Sequence, residues 1–227
     1  MSHCVSTRRE ICLPYVGQQK RYPSLVEVED IFSARYISKE VKTLKEIRFY
    51  GVGGQGVVVA AKTFSVAVSI YENGYATTIP AYGHERRGAP VYADIVADNK
   101  PILKNCFLYE LDGMMIMDDT LINNRINIEK FKSKDTFLVL NTNSCSIAEE
   151  YKNTYHFRNV YYVDATEVAI KHIDRSIPNS SMLGALAATG IVKIESIEQA
   201  IKDTFGAKAG DRNARAAREA YTQTKKI

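Results

Sequence analysis

"EIRFYGVGGQGVVVAAKTF" runs from Glu46 to Phe64. An apolar run meets a glycine-rich turn, and a segment of helical length rich in valine and alanine follows. In "GVGGQG" the spacing is Gly51-x-Gly53-x-x-Gly56, with Gly54 added and Gln55 inside the turn. Strand, glycine turn and helix, in that order, open a Rossmann-like α/β fold. Glycine permits positive φ there and lets a backbone approach a phosphate. The free N–H groups of the helix start then favour an anion.

The dinucleotide fingerprint also expects an acid about 20 residues on, at the end of the second strand. That region is "ATTIPAYG", Ala76 to Gly83, and it carries no carboxylate. Glu72 falls earlier, inside the presumed helix, and Glu85 lies beyond Pro80. The turn therefore reads first as a tight junction packed against the sheet or a partner. A phosphate-bearing ligand outside the dinucleotide class stays open.

Working outward, "YATTI", "VYADIVA", "GMMIMDD", "DTFLVLNTN" and "VYYVDA" read as strands. The first helix is expected to end at Gly74, after Asn73. Helices are predicted over "TLINNRINIEKFK", "SIAEEYKN" and "TEVAIKHI". Past Pro178 the chain reads as helical: "NSSMLGALAATG", then "SIEQAIKDTFG" with Ser196 as N-cap, then "DRNARAAREAYTQTKK". Alternation of this kind predicts a doubly wound, mostly parallel sheet with C-terminal helices, over residues 45–227. Residues 1–44 mix prolines, tyrosines and charges with little periodicity. They read as an extended N-terminal arm, either lying on a partner or a disordered tail.

A second constellation is "IPAYGHERRGAPVYADI", Ile79 to Ile95. Tyr82, His84, Glu85, Arg86 and Arg87 crowd into six residues; Gly83 and Gly88 flank the charged run, and Pro80 and Pro90 stiffen the ends. A solvated charged loop is the plain reading. A compact, rigid loop bearing two arginine forks suits carboxylate or phosphate recognition, or an interface. His84 has no nucleophile or orienting acid fixed beside it, so no general base is assigned. His156 and His172 read as packing or surface residues. Asp118 and Asp119 read as helix caps before cation ligands, and Met114, Met115 and Met117 as core.

Composition bounds the rest. The 227 residues suit one large domain or a domain plus an extension. A net charge of +4 with no dense basic stripe gives no support to a nucleic-acid binder. The four cysteines, Cys4, Cys12, Cys106 and Cys145, form no C-x-x-C pair. Neither a zinc ribbon nor an iron–sulfur cluster is written in them, and free, mostly buried thiols in a cytoplasmic protein are expected. No apolar run has the length of a membrane span.

Three motifs taken together are similar to one family. "GVGGQGVVVAAK", "IPAYGHERRGAPV" and "IPNSSMLGALAATGIVKIESIEQAI" resemble the gamma subunit, or gamma domain, of 2-oxoacid:ferredoxin oxidoreductases. Gly51, Gly53, Gly54, Gln55 and Gly56 match the first family motif. Tyr82, Gly83, Glu85, Arg87 and Gly88 match the second, and Pro178, Asn179, Leu183, Gly184 and Ala185 the third. His84 replaces a usual proline or threonine, and Ala89 a glycine. The resemblance covers about residues 46 to 220. It implies a Rossmann-like companion subunit, inactive alone, in a complex that decarboxylates a 2-oxoacid oxidatively. It implies thiamine diphosphate with Mg in the alpha and beta subunits and four-iron four-sulfur clusters in beta and delta. Ferredoxin is the implied electron acceptor, and coenzyme A is implied at an interface in many members. The site residues expected to face ligand or partner are the Gly51–Gly56 turn, Tyr82, Gly83, His84, Glu85, Arg86, Arg87 and Asn179. The competing readings are a free-standing dinucleotide-binding oxidoreductase and a non-enzymatic nucleotide-binding protein.

Overall fold

The computed structural model describes residues 45–81, 89–122 and 126–227. The proposed arm and the charged segment 82–88 lie outside these. Seven strands form one sheet in the order β2-β3-β1-β4-β5-β6-β7. They are β1 Lys45–Val52, β2 Tyr75–Pro80, β3 Pro90–Asp98, β4 Leu111–Ile116, β5 Lys132–Asn141, β6 Asn159–Val163 and β7 Lys225–Lys226. β1, β4, β5 and β6 run parallel, as the alternating pattern predicts. β2 and β3 add to β1 as an antiparallel pair, because residues 81–89 are too short a connection for a crossover. The two-residue β7, antiparallel to β6, has no signal in the sequence.

The helices are α1 Val57–Val66, extended by a π-turn over Ala67–Tyr71, then α2 Cys145–Tyr155, α3 Ala165–Ile173, α4 Asn179–Ala187 and α5 Ile194–Gln223. One sheet face, bearing Ile47, Phe49, Ile95 and Met115, packs on Phe64 of α1, Val168 of α3, Leu183 and Leu186 of α4 and Ala217 of α5. Alternation sends Tyr50, Met114, Ile116 and Leu138 to the other face, against Tyr151 of α2 and the loop residues Leu108, Leu121 and Ile128. Met114, Met115 and Met117 are fully buried, as expected. Each buried Phe or Leu contributes roughly 1.5–3 kcal/mol, so the two faces hold the sheet from both sides.

Several local expectations are corrected. Among the described residues of "TLINNRINIEKFK" no α-helix forms. Asp119–Ile122 and Glu129–Phe131 are short 3-10 turns. The Asp118 carboxylate takes the Thr120 amide, and Asn127 Oδ1 takes the Lys130 amide, which competes with a helical ladder. At the end of α1 the positive φ belongs to Asn73, not Gly74. Gly74 is needed for a close approach: a Cβ there would lie 2.9 Å from Val68 Cγ1 and 3.1 Å from Asp98 O. Ser196 is no cap. α5 starts two residues earlier, after Lys193, and Ser196 is buried in its first turn. Cys106 and Cys145 are exposed, against the expectation of buried thiols. The two helices predicted after Pro178's segment are the halves of α5, broken at Gly206, where φ is 72° and ψ 170°. They fold back on each other, with Arg218 bridging Glu195 and Glu198.

Candidate functional site

The chain leaves β1 for α1 on one face of the sheet, and leaves β4 for the 3-10 turns on the other. The crevice between the carboxyl ends of β1 and β4 is therefore a topological switch point, where open α/β sheets hold ligands. The glycine turn sits at this point, built tightly. A Cβ on Gly51 would fall 2.5 Å from Val57 Cγ2 and 2.9 Å from Gln55 Oε1. Gly54 and Gly56 have φ of 105° and 78°, which only glycine adopts without strain.

Gln55 braces the turn from within. Its Oε1 accepts the Val52 N–H at 2.9 Å, and its Nε2 donates to Asp118 Oδ2 at 3.1 Å. Asp118 Oδ1 accepts both the amide and the hydroxyl of Thr120. Capping was the expected role of Asp118. Its bond to Gln55 was not, and a sequence separation of 63 residues gives no local signal for it. The neighbourhood is electronegative. Burial pushes the Tyr151 hydroxyl above its ordinary range, and the carboxylates of Asp119 and Asp118 add to the shift.

Asn179 opens α4 and is buried. Its side chain crosses to the glycine turn: a Cβ on Gly56 would lie 2.5 Å from Asn179 Nδ2. Asn179 Oδ1 accepts the Ser180 amide at 2.7 Å, and Ser180 Oγ donates to Asn213 Oδ1 at 2.8 Å. Two motifs far apart in sequence thus meet, and α5 joins them through Asn213, a residue sequence reasoning missed. Asn141, also missed, binds Met117 O and Thr166 Oγ1 through Nδ2 and accepts the Ala165 amide, tying β4 to α3.

Tyr82, Gly83, His84, Glu85, Arg86 and Arg87 lie outside the described residues. Their flanks do not. Pro90 pairs with Val52 across β1 and β3, and the Gly53 amide donates to Ala89 O at 2.9 Å. The charged segment therefore leaves and re-enters the fold at the sheet end that carries the glycine turn. Among the described residues no three His, Cys, Asp or Glu side chains gather to hold a metal, and no helix is long and apolar enough to cross a membrane.

Gly56→Ala tests the meeting of the motifs. Alanine must adopt a left-handed backbone and push Asn179 aside, a cost of about 1–3 kcal/mol. Thermal melting of the full chain is expected to fall by several degrees. An unchanged melting temperature would mean that the Asn179 contact is slack.

The family pattern for pyruvate ferredoxin/flavodoxin oxidoreductase matches residues 46–223. The pyruvate/ketoisovalerate oxidoreductases common subunit gamma of Pyrococcus furiosus is 42% identical over 180 residues, covering 79% of this chain and 96% of that protein. Pyruvate synthase subunit PorC of Methanocaldococcus jannaschii is 41% identical over 179 residues, covering 78% of this chain and 96% of the relative. Among solved structures, pyruvate oxidoreductase subunit PORC from Thermotoga maritima superposes with a TM-score of 0.69 at 33% identity, over 82% of this chain and 99% of that one. With the family pattern matched over residues 46–223 and these relatives covered nearly end to end, this chain belongs to the pyruvate ferredoxin/flavodoxin oxidoreductase family.

Proposed function

We propose that this chain is the gamma subunit of a multisubunit 2-oxoacid:ferredoxin oxidoreductase. It lends surface to chemistry carried by other chains. Alpha, beta and delta partners, or fused equivalents, hold thiamine diphosphate with Mg and the four-iron four-sulfur clusters, and ferredoxin takes the electrons. Coenzyme A reaches the interface where acyl transfer completes the reaction. The complex works in the cytoplasm.

The observation that carries this reading is the bond from the Gly53 amide to Ala89 O, which sets the C-terminal flank of the charged segment beside the glycine turn. The glycine turn and Asn179 meet at that end of the sheet, where the flank of the charged segment joins them. Such a surface suits positioning and electrostatic contact, not bond-making. The site residues assigned are Gly51, Gly53, Gly54, Gln55, Gly56, Tyr82, Gly83, His84, Glu85, Arg86, Arg87 and Asn179. The arm 1–44 lies on a neighbouring subunit.

The test is co-expression of the full chain with the thiamine-binding and cluster-bearing chains of its source. The purified assembly is expected to reduce ferredoxin with a 2-oxoacid, and this chain alone is not. Arg87→Ala is expected to lower turnover about tenfold or more, the loss typical of a charged positioning contact. Removal of residues 1–40 is expected to weaken co-purification. Unchanged assembly and turnover in the Arg87 variant reject the loop's role, and activity of the lone chain with its own redox cofactor rejects the subunit reading.

A further inference from the structure

At the amino end of β1, away from the glycine turn, residues 99–110 run from the end of β3 to the start of β4. This loop is pinned to the sheet. Leu108 is fully buried; its amide donates to Asp94 Oδ2 at 2.8 Å, and its carbonyl accepts Arg48 Nη2 at 2.9 Å. The Phe107 ring meets Tyr92 with centroids 6.1 Å apart, and Ile102 packs on the core of that sheet face. Lys104 Nζ donates to Glu46 Oε1 at 2.6 Å and ties the loop to β1. With Leu108 drawn inward, its neighbours Phe107 and Tyr109 are left at 43% and 73% exposure, and Leu103 is 96% exposed. Cys106, in the same stretch, is exposed as well.

Single apolar side chains on a surface are ordinary, but three on one short, anchored loop are not. A loop already fixed by a buried ion pair loses little further freedom on binding, so its side chains are presented ready-made. Tyrosine and phenylalanine are also among the residues that carry interface energy. The occupant is indicated by the chain itself. Residues 1–44 join the fold at Lys45, and the next residue, Glu46, is tied to this loop by Lys104 and to the start of β4 through its amide and Asp112. A neighbour that carries the arm therefore begins beside this loop. We propose that the loop 99–110 docks this chain on that neighbouring subunit, with Leu103, Phe107 and Tyr109 filling apolar recesses of its surface. The proposal rests on the subunit reading above and names the surface that serves it. At roughly 3.3 Å per strand residue, β1 sets this surface about 20 Å from the glycine turn, so the two can be tested apart.

The test uses the full chain co-expressed with the thiamine-binding and cluster-bearing chains of its source. Leu103→Ser/Tyr109→Ser removes the two most exposed side chains. Thermal melting of the lone variant is expected to match the wild type, because both positions are on the surface. Recovery of the variant with its tagged partner chains is expected to fall about tenfold or more, the scale of a lost interface anchor. A second readout needs no substitution. Alkylation of Cys106 by N-ethylmaleimide, followed by peptide mass spectrometry, is expected to be about tenfold or more slower in the assembly than in the lone chain, as burial of an exposed thiol requires. A folded variant that assembles as well as the wild type overturns the proposal, and so does equal labelling of Cys106 in the two states. Where the variant fails to fold, the labelling of the wild type decides alone. A lone chain that dimerises in light scattering, and loses this dimer in the variant, assigns the loop to a second copy and also overturns it. Wild type that does not co-purify with those chains at all rejects the subunit reading itself, whereas normal wild-type assembly with an unaffected variant rejects only the loop.

Discussion

Gly184→Ala is expected to cost about 3 kcal/mol or more and to leave much of the chain unfolded at 37 °C. A Cβ at Gly184 would lie 1.9 Å from Ala217 O, 2.7 Å from its carbonyl carbon and 2.9 Å from its Cα. Every one of these atoms is backbone, so no rotamer change relieves the overlap. The helices must separate instead. α4 is buried along its whole length, and Ala216, Ala217 and Ala220 of α5 are fully buried against the same core. Separating two helices so packed opens voids along both, and each lost contact adds to the cost. Denaturant unfolding, read as a shift in midpoint at constant slope, measures it. A loss below about 1 kcal/mol would mean that the helix pair yields far more readily than close packing allows.

Gly184 also shows what a sequence can and cannot disclose. Its place in the third family motif marked it, and the glycines of "GVGGQG" were marked by spacing. Neither signal told the two kinds of glycine apart. Gly54 is needed for its backbone angle, with open space around a Cβ, and Gly184 is needed for its missing Cβ. The parallel core of the sheet was legible because each of its strands alternates with a helical or turn segment. The antiparallel addition of β2 and β3 was legible only in the shortness of residues 81–89, a cue of connection length and not of periodicity. At the site, Gly56 and Asn179 were both singled out, but their contact is set by the packing of α4 over α1. Gln55 was read as part of the turn, while its partner Asp118 lies just past the end of another strand, β4. Long-range hydrogen bonds leave no trace in local composition, and for this reason Asn141 and Asn213 also escaped notice.

The second large effect lies in a pair that sequence reading passed over entirely. Arg48 of β1 and Asp94 of β3 are opposite each other in the sheet register and are both buried, at 2% and 1% exposure. The guanidinium donates to Asp94 through Nε and Nη2, and Nη2 also donates to Leu108 O at 2.9 Å. Asp94 Oδ2 in turn accepts the Leu108 amide at 2.8 Å. Tyr92 and Phe131 stack on the cation at 4.5 and 4.2 Å. Burial works against the charge on Arg48, yet its hydrogen bonds to Asp94 and Tyr50 outweigh that cost and hold the guanidinium above its ordinary range. Asp94→Ala is expected to destabilise by about 3–5 kcal/mol, because it strands a buried cation and an amide together. Arg48→Met alone strands a carboxylate and is expected to cost a similar amount. The double variant Arg48→Met/Asp94→Leu removes both charges and leaves only neutral groups, the two backbone groups of Leu108 and the Tyr50 hydroxyl, without these partners. Its cost is expected to fall well short of the sum of the single effects, by about 2 kcal/mol or more of coupling. Additive losses in that cycle would mean that each charge is solvated independently, which burial of both side chains within one core does not permit.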